Sequence, residues 1–410
     1  MRVAMISEHA SPLAVLGGED AGGQNTHVAE LSAALADAGH EVRVYTRRDS
    51  PDAPRTVRLR DGVEVVHVLA GPPQPIAKDD LLPYMKDFSR WLVARWREDD
   101  WVPDVAHAHF WMSGLAGIAA GRQTGVPVVL TYHALGTVKR RHQGAADTSP
   151  ARRVGYERAL GRAVDRVIAQ SRDEVRELVR MGVPQDRVTV IPSGVNDTTF
   201  SPDGPAVPRV PGRSRILTVG RLVERKGYQD LIRAMPTVPD AECVVVGGPP
   251  AGEVDDDPQV RRLRALADEV GVADRVRLIG AVPRDEMPYW YRSADVLVAA
   301  PWYEPFGLTP LEAMACGVPV VGTAVGGLTD TVAPGRTGDL VPPRDPEALG
   351  TAIRELLADR ARRFGYAAAA LDRARRWYSW TRTAEQIGAV YAAVGEVRRP
   401  SRVVAGRMVP

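Results

Sequence analysis

Short apolar runs alternate along this chain with stretches whose apolar residues recur at helical spacing. In the first half the runs are Val3–Ser7, Val42–Thr46, Val63–Val68, Asp104–His107, Val126–Thr131, Arg166–Ala169 and Val188–Pro192. Between the first two, Val28, Leu31, Leu35 and Ala38 fall on one face of a helix. Strands separated by helices predict βαβ units and a mainly parallel sheet. The stretch Phe200–Arg213, carrying Pro202, Pro205, Pro208 and Pro211, is a linker by composition. The pattern then restarts, with strands expected at Arg215–Val219, Glu242–Val246, Val276–Ile279, Asp295–Val298, Val318–Val321 and Asp339–Val341. No short-period repeat is visible. The expectation is therefore an α/β protein of two doubly wound, Rossmann-like domains, residues 1–199 and 214–377, joined by residues 200–213. The segment 360–397 reads as two helices interrupted near Trp377–Trp380. A cleft between two such domains is a natural place to join two substrates.

Composition narrows the class. The 410 residues are 44% hydrophobic and 25% charged, which fits a soluble globular protein. A net charge of +2 argues against a dedicated nucleic-acid binder. No apolar run approaches the ~20 residues of a membrane span, and Met1–Ser7 reads as a first strand rather than a leader. Cys243 and Cys316 read as small core residues, not a disulfide or metal pair. A cytoplasmic enzyme is the expectation. Only four of the 53 basic residues are lysine: Lys78, Lys86, Lys139 and Lys226. Against an arginine background, a lysine suggests a site where a compact point charge serves better than a planar fork; the bland alternative is chance retention.

The densest chemistry lies in Glu304–Val321, E-P-F-G-L-T-P-L-E-A-M-A-C-G-V-P-V-V. Glu304 follows an apolar strand. Thr309 is then expected as N-cap, with Pro310 at the first helical position, Glu312 in the first turn, and Gly317 with Pro319 ending the helix. Two carboxylates would flank a helix N-terminus at a strand end, where α/β sheets bind nucleotides and phosphates. Taken alone, Thr309-x-x-Glu312 is equally a capping box. Upstream, the strand to Val219 ends in Gly220-Arg221, with Lys226 and Gly227 just before a helix. Two cations there could neutralise a pyrophosphate, although an exposed Arg and Lys at that spacing are usually surface residues. The loop Glu8–Ala21 closes on D-A-G-G-Q-N, and Gly22-Gly23 would let backbone N–H groups approach a phosphate or sugar. It is not G-x-G-x-x-G, so a nicotinamide site is not expected. His133 follows a strand in T-Y-H-A-L-G. His107 and His109 suggest a metal cluster with it, but no carboxylate or cysteine accompanies them, so they are taken as cleft-lining or structural. G-A-V-P-R at Gly280–Arg284 is another strand-to-helix junction. Lys139, Arg140, Arg141, Arg152 and Arg153 form a basic region, read as a solvated face, a site for an anionic acceptor, or a light contact with acidic lipid heads.

Taken together, the E-x7-E string, R-L-V-E-R-K-G and the glycine turn resemble, in the same order, the motifs of retaining glycosyltransferases with the GT-B architecture, of the family 4 type. That group includes sucrose-phosphate synthases and the inositol-phosphate glycosyltransferases. The resemblance covers Met1 to about Tyr391. It implies that the final helix, about 378–397, crosses back onto the first domain, and that a nucleotide-diphosphate sugar, with UDP favoured, binds the second. Glu312 would hold the ribose hydroxyls, and the backbone near Val282 the base. Glu304 with the backbone of Phe306, Gly307 and Leu308 would hold the sugar hydroxyls. Gly22 and Gly23 would approach the donor, His133 would bind near the anomeric centre, and Arg221 and Lys226 would stabilise the departing diphosphate. The family reaction retains the anomeric configuration, with front-face attack favoured, and needs no cofactor or obligatory metal. Within the family the chain is most similar to the D-inositol 3-phosphate glycosyltransferases, through S-P-L, D-A-G-G-x-N, Lys78 and H-x-H-x-W-x-S-G. Asn25, Lys78, Phe110 and Lys139 would then face a small-molecule acceptor. That subfamily has tyrosine in place of Phe110 and threonine in place of Ala134, both reaching the acceptor's phosphate. Their absence implies a less charged acceptor: a sugar, cyclitol or secondary-metabolite scaffold. The rival readings are a nucleotide-sugar epimerase or hydrolase on the same fold, and a catalytically silent nucleotide-sugar-binding protein.

Overall fold

The structure is a computed structural model that describes residues 1–14 and 22–398. Part of the loop Glu8–Ala21 therefore lies outside the described residues. Two sheets form, as the alternating pattern requires. The first contains β1 (Arg2–Ile6), β2 (Glu41–Arg47), β3 (Thr56–Arg60), β4 (Val63–Val68), β5 (Val105–His109), β6 (Val128–Thr131), β7 (Arg166–Ala169) and β8 (Val188–Val190), in the order β3-β4-β2-β1-β5-β6-β7-β8. Every neighbouring pair is parallel except β3 with β4. β1 sits at the centre, with Val3 opposite both Val42 and Val105. Its residues Val3 to Ile6 are fully buried because helices cover both faces.

β3 was not anticipated from the apolar pattern, and its burial alternates between half-buried and exposed. Asp61-Gly62 joins it to β4, with Arg60 opposite Val63 and Gly62 at φ 77°. That is a two-residue hairpin whose turn needs a positive φ, and the Asp-Gly pair was its available signal. Exposed Arg58 and Arg60 charge this sheet edge and keep it from pairing with other chains.

The second sheet contains β9 (Ser214–Val219), β10 (Ala241–Pro250), β11 (Val276–Ala281), β12 (Val296–Ala299), β13 (Val320–Thr323) and β14 (Gly338–Val341). Its order is β11-β10-β9-β12-β13-β14, all parallel. β10 runs four residues past the expected end at Val246, with register irregularities against β11 from Val245 onward. Residues 200–213 have no helix or strand, but Phe200, expected in the linker, is fully buried against Tyr291.

The last two helices, Arg360–Trp377 and Trp380–Arg398, are separated by two residues. The second packs Trp380, Ala384, Ile387, Tyr391 and Val394 into the apolar layer beneath β1 and β2. Val195 N–H donates to Tyr378 O at 2.6 Å, tying the break to the exit of the first domain. Both cysteines are free and buried, and burial pushes their thiols up to about 12. Among the described residues no helix is long and apolar enough to cross a membrane. The carboxyl ends of both sheets open onto one cleft, where open α/β sheets bind ligands.

Candidate active site

The second-domain wall is set by backbone constraints. Gly227 has φ 69°, and a Cβ there would lie 2.0 Å from Ala300 O. Only glycine lets the turn after Lys226 lie against the end of β12. Trp302 N–H donates to Arg225 O at 2.8 Å, fastening the two loops together. As a result Lys226 Nζ reaches Glu304 Oε2 at 2.6 Å, and Arg225 lies 3.9 Å from the same oxygen. Burial tends to raise the Glu304 carboxyl, but Lys226 and Arg225, with Arg221 nearby, outweigh it and hold the group below the ordinary carboxylate range.

The helix after this loop begins differently from the sequence expectation. It spans Leu308–Ala315 and is capped by Gly307 at φ 93°, ψ 71°, with no side-chain cap. Thr309 and Pro310 fall inside the first turn, so the Thr309–Glu312 capping box does not form. The physical reason is Gly307: its left-handed backbone starts the helix two residues early. Glu312 is thereby freed from its own helix terminus. One carboxylate oxygen accepts from Arg284 Nη1 at 2.9 Å and the other from Tyr291 Oη at 2.7 Å. Burial and Glu312 together drive the Tyr291 hydroxyl far above its usual value, so it stays a donor. Arg284 also lies 3.5 Å from Glu30, on the helix Gly23–Asp37 of the opposite domain.

Arg225, Lys226, Arg284, Glu304 and Glu312 line a cavity of about 380 Å³ with Gly22, Gly23, Asn25, Lys78, Phe110, His133, Arg221, Val282, Phe306, Gly307 and Leu308. Gly22 is extended, at φ −165°, and a Cβ there would meet nothing within 4 Å. Its missing side chain keeps the cavity open rather than relieving the backbone. Asn25 is spent on the loop: its Oδ1 accepts from Gly22 N–H at 3.0 Å and its Nδ2 donates to Ser11 O at 3.0 Å.

A second cavity, about 670 Å³, adjoins the first and shares Lys78, Phe110, His133, Ala134, Arg221 and Glu304 with it. Its basic residues are largely paired. Lys139 Nζ contacts Asp147 at 3.1 Å, Asp79 at 3.5 Å and Ser149 Oγ at 2.9 Å. Arg141 and Arg180 both bind Glu177, at 2.8 and 2.6 Å. Buried Arg153 donates to Glu157 at 2.7 Å and to Ala134 O at 2.7 Å, and its guanidinium lies 4.9 Å above the Phe110 ring. Gln143 donates to Tyr303 Oη across the cleft at 2.9 Å, closing the far end.

Between the cavities stands a histidine group. His133, at φ 59°, and Phe110, at φ 85°, are two of three non-glycine residues with positive φ among the described residues. Such conformations are held at a cost and cluster at functional sites. His109 Nδ1 and His133 Nε2 lie 2.9 Å apart, and His27 Nδ1 meets Ser193 Oγ at 2.7 Å. His107 is structural: it bonds Tyr391 Oη at 2.7 Å and Thr131 Oγ1 at 2.9 Å. Burial keeps all four neutral, taking His27 and His107 down to about 3 and His109 and His133 well below the ordinary value. His27, His109 and His133 bring one ring nitrogen each within 4.8 Å of one another, a set that could hold a metal. With both rings neutral, the 2.9 Å His109–His133 contact also fits a hydrogen bond from the N–H of one ring to the bare nitrogen of the other.

The sequence reading passed over His27, Glu174, Arg225, Tyr291 and the Arg284 side chain. Arg225 and Arg284 lay inside motifs already singled out. Tyr291 and His27 read as ordinary helix residues and gave no signal.

Two family patterns match the chain: Glycosyltransferase Family 4 over residues 21–199 and Glycosyl transferases group 1 over residues 205–371. The chain is 39% identical over 416 residues to a D-inositol 3-phosphate glycosyltransferase from Xylanimonas cellulosilytica, covering 98% of each chain. It is 39% identical over 408 residues to one from Acidothermus cellulolyticus, covering 95% of this chain and 90% of that one. Among solved structures, a sucrose-phosphate synthase from Thermosynechococcus elongatus superposes with a TM-score of 0.87 at 32% identity, over 97% of this chain and 99% of that one. Two parallel-sheet lobes, a charged crevice at their facing strand ends and relatives matched end to end lead to one family: the chain is a glycosyltransferase of the family 4 type with the GT-B fold.

Proposed function

We propose that the protein transfers a hexosyl group, with retention of anomeric configuration, from a nucleoside-diphosphate sugar to a hydroxyl of a small neutral acceptor. The observation that carries this is the meeting of Glu304, Glu312, Arg221 and Lys226 with the helix start at Gly307 around one cavity of about 380 Å³. A ribose offers two hydroxyls to Glu312, and a diphosphate offers its charge to Arg221 and Lys226. The sugar lies against Glu304 and the first turn of the helix Leu308–Ala315, whose N–H groups lack intrahelical partners. In the reaction, the bond from the anomeric carbon to the β-phosphate oxygen breaks. The acceptor oxygen bonds to the same face, and its proton passes to the departing phosphate oxygen. Lys226 and Arg221 oppose the charge that develops on the diphosphate, which favours the transition state over the ground state. His133 would hydrogen-bond the sugar beside the reacting carbon. Uridine is the favoured base, no cofactor is needed, and chelation with EDTA should leave turnover unchanged.

The relatives' printed name points to inositol 3-phosphate as acceptor, but the acceptor-side residues support a neutral one. Phe110 and Ala134 offer no hydroxyl, Lys139 is engaged by two carboxylates, and Arg153 by Glu157. A phosphate at Lys139 or Arg153 would meet a cation already paired. Thermal melts with UDP-, GDP- and ADP-sugars test the donor reading; no stabilisation by any of them would end it. Proton NMR of the product tests retention, and an inverted linkage would refute it. Turnover with inositol 3-phosphate that exceeds turnover with myo-inositol would overturn the neutral-acceptor reading.

A further inference from the structure

The helix Gly136–Gln143 lies on the first-domain wall of the larger cavity, and Gly144, at φ 54°, ends it directly after Gln143. Its last turn reaches the other domain. Gln143 Nε2 donates to Tyr303 Oη at 2.9 Å. The His142 ring stacks on the Tyr303 ring, with centroids 4.9 Å apart and planes 25° from parallel. Two neighbouring residues thus make separate contacts with one side chain across the cleft.

Tyr303 is held firmly from its own side. It is only 8% exposed, and the Arg225 guanidinium lies 5.1 Å from its ring centre. Trp302 N–H, one residue earlier, fixes the Arg225 carbonyl at 2.8 Å. The first-domain half is different: His142 and Gln143 are half-exposed, at a helix end, and outside the first-domain core.

The place of this bridge carries the argument. His142, Gln143 and Tyr303 line the cavity of about 670 Å³, and none of them lines the smaller one. The residues common to both cavities, His133, Arg221 and Glu304 among them, mark the side where transfer would occur. The bridge belongs to the part of the larger cavity that the donor cavity does not share. A second crossing, from Arg172 N–H to Asp330 Oδ2 at 2.6 Å, sits between Ser171 and Asp173, which also line the larger cavity. An acceptor that presents one hydroxyl beside the shared residues has the rest of its body in a space spanned by these contacts.

We propose that the bridge from His142 and Gln143 to Tyr303 sets a size limit on the acceptor: a single-ring sugar or cyclitol fits inside it, and an oligosaccharide must break both contacts to enter. This rests on the transferase reading above and deepens it by naming the acceptor class.

The test uses the full-length protein, UDP-glucose as donor, and glucose, myo-inositol, maltose and maltotriose as acceptors. His142→Ala with Gln143→Ala removes both contacts from the first-domain side and leaves Tyr303, Arg225 and Glu304 in place. Tyr303→Phe removes the hydrogen bond alone. In the wild type, kcat/KM should be at least about tenfold lower for maltotriose than for glucose. The double variant should bring the two within about threefold, with donor KM and Tm nearly unchanged, and Tyr303→Phe should fall between. Saturation-transfer NMR with UDP present reads acceptor binding without turnover: maltotriose should bind the double variant and not the wild type. Wild-type use of maltotriose equal to that of glucose would overturn the proposal. So would an unchanged ratio in the double variant, or an equal loss on every acceptor. If the wild type transfers to none of the four, yet binds only the single rings while the double variant also binds maltotriose, the transferase reading fails and the size limit stands. Binding of none of the four by either protein removes the size limit together with the neutral-acceptor reading.

Discussion

The two walls of the cleft handle charge in opposite ways. On the second-domain side, Lys226 and Arg225 share a single carboxylate, Glu304, so two cations meet one countercharge close to the helix start. On the first-domain side, Lys139 contacts two aspartates, Arg141 and Arg180 share Glu177, and Arg153 is matched by Glu157. A wall with surplus cations suits a diphosphate, whose charge grows as it leaves. A wall with balanced charges suits a ligand that carries none. On the function proposed above, the first would discriminate by charge and the second by hydroxyl placement.

The largest effect expected from disturbing this contrast is on turnover. Lys226→Ala removes the cation nearest Glu304 and should lower kcat by about 10²–10³, the cost of losing one preorganised charge-stabilising group. Donor KM should change much less, because the interaction strengthens only as the diphosphate departs. Steady-state kinetics with saturating acceptor would show it, and a rise in KM at constant kcat would recast Lys226 as a ground-state binder. Glu157→Ala comes next and attacks the balanced wall. It strands buried Arg153 and removes the acceptor of the Gly136 N–H at 2.9 Å. A loss of about 3 kcal/mol in stability is expected from such a broken buried pair, read from urea unfolding. A loss below about 1 kcal/mol would mean the cation finds solvent, and the balanced wall is not rigid.

Glu312→Ala should act more gently and only on the donor. Arg284 and Tyr291 would lose their shared acceptor, and the ribose its carboxylate. Two hydrogen bonds worth about 1 kcal/mol each imply roughly a tenfold to thirtyfold weaker UDP affinity by calorimetry. Unchanged affinity would return Glu312 to a purely structural role, as the holder of Arg284 against Glu30.

The same contrast explains what could be read in the chain before its structure. The second-domain wall is written in contiguous strings at strand ends, E-P-F-G-L-T-P-L-E and R-L-V-E-R-K-G, so backbone topology alone brings its residues together. The core strands were legible because a doubly covered parallel strand is a continuous apolar run. The antiparallel β3 was missed because its half-exposed residues form no such run, although Asp61-Gly62 marked the turn. Thr309 was preferred to Gly307 as cap because side-chain capping is the visible sequence signal, whereas a left-handed glycine cap depends on where the preceding loop delivers the chain. The first-domain wall was legible least. Which arginine finds which carboxylate, and which carboxylate is left over, depends on packing between helices far apart in sequence.

Acidification separates the two kinds of buried group on the first-domain side. His27 and His107 protonate near 6.5 in an unfolded chain but only at about 3 in the fold, because burial disfavours the cation. As pH falls below 6.5 the unfolded state takes up these protons and the folded state does not. Their contribution, complete above 6.5, is thus lost progressively toward 3. Glu174 works against this: its carboxyl is raised to about 7, so the folded state binds a proton that the unfolded state releases near 4.5. Its share of stability is present below 4.5 and lost as pH rises to about 7. Between pH 6.5 and 4.5 the histidines should prevail, since His109 and His133 shift in the same direction as His27 and His107. The urea midpoint should fall on going from pH 7.5 to pH 5.0. In Glu174→Gln, which lacks the opposing group, the fall should be steeper. A midpoint that stayed level in the wild type would mean the histidine wall takes up protons without unfolding. A slope identical in both proteins would mean that the Glu174 carboxyl is not raised.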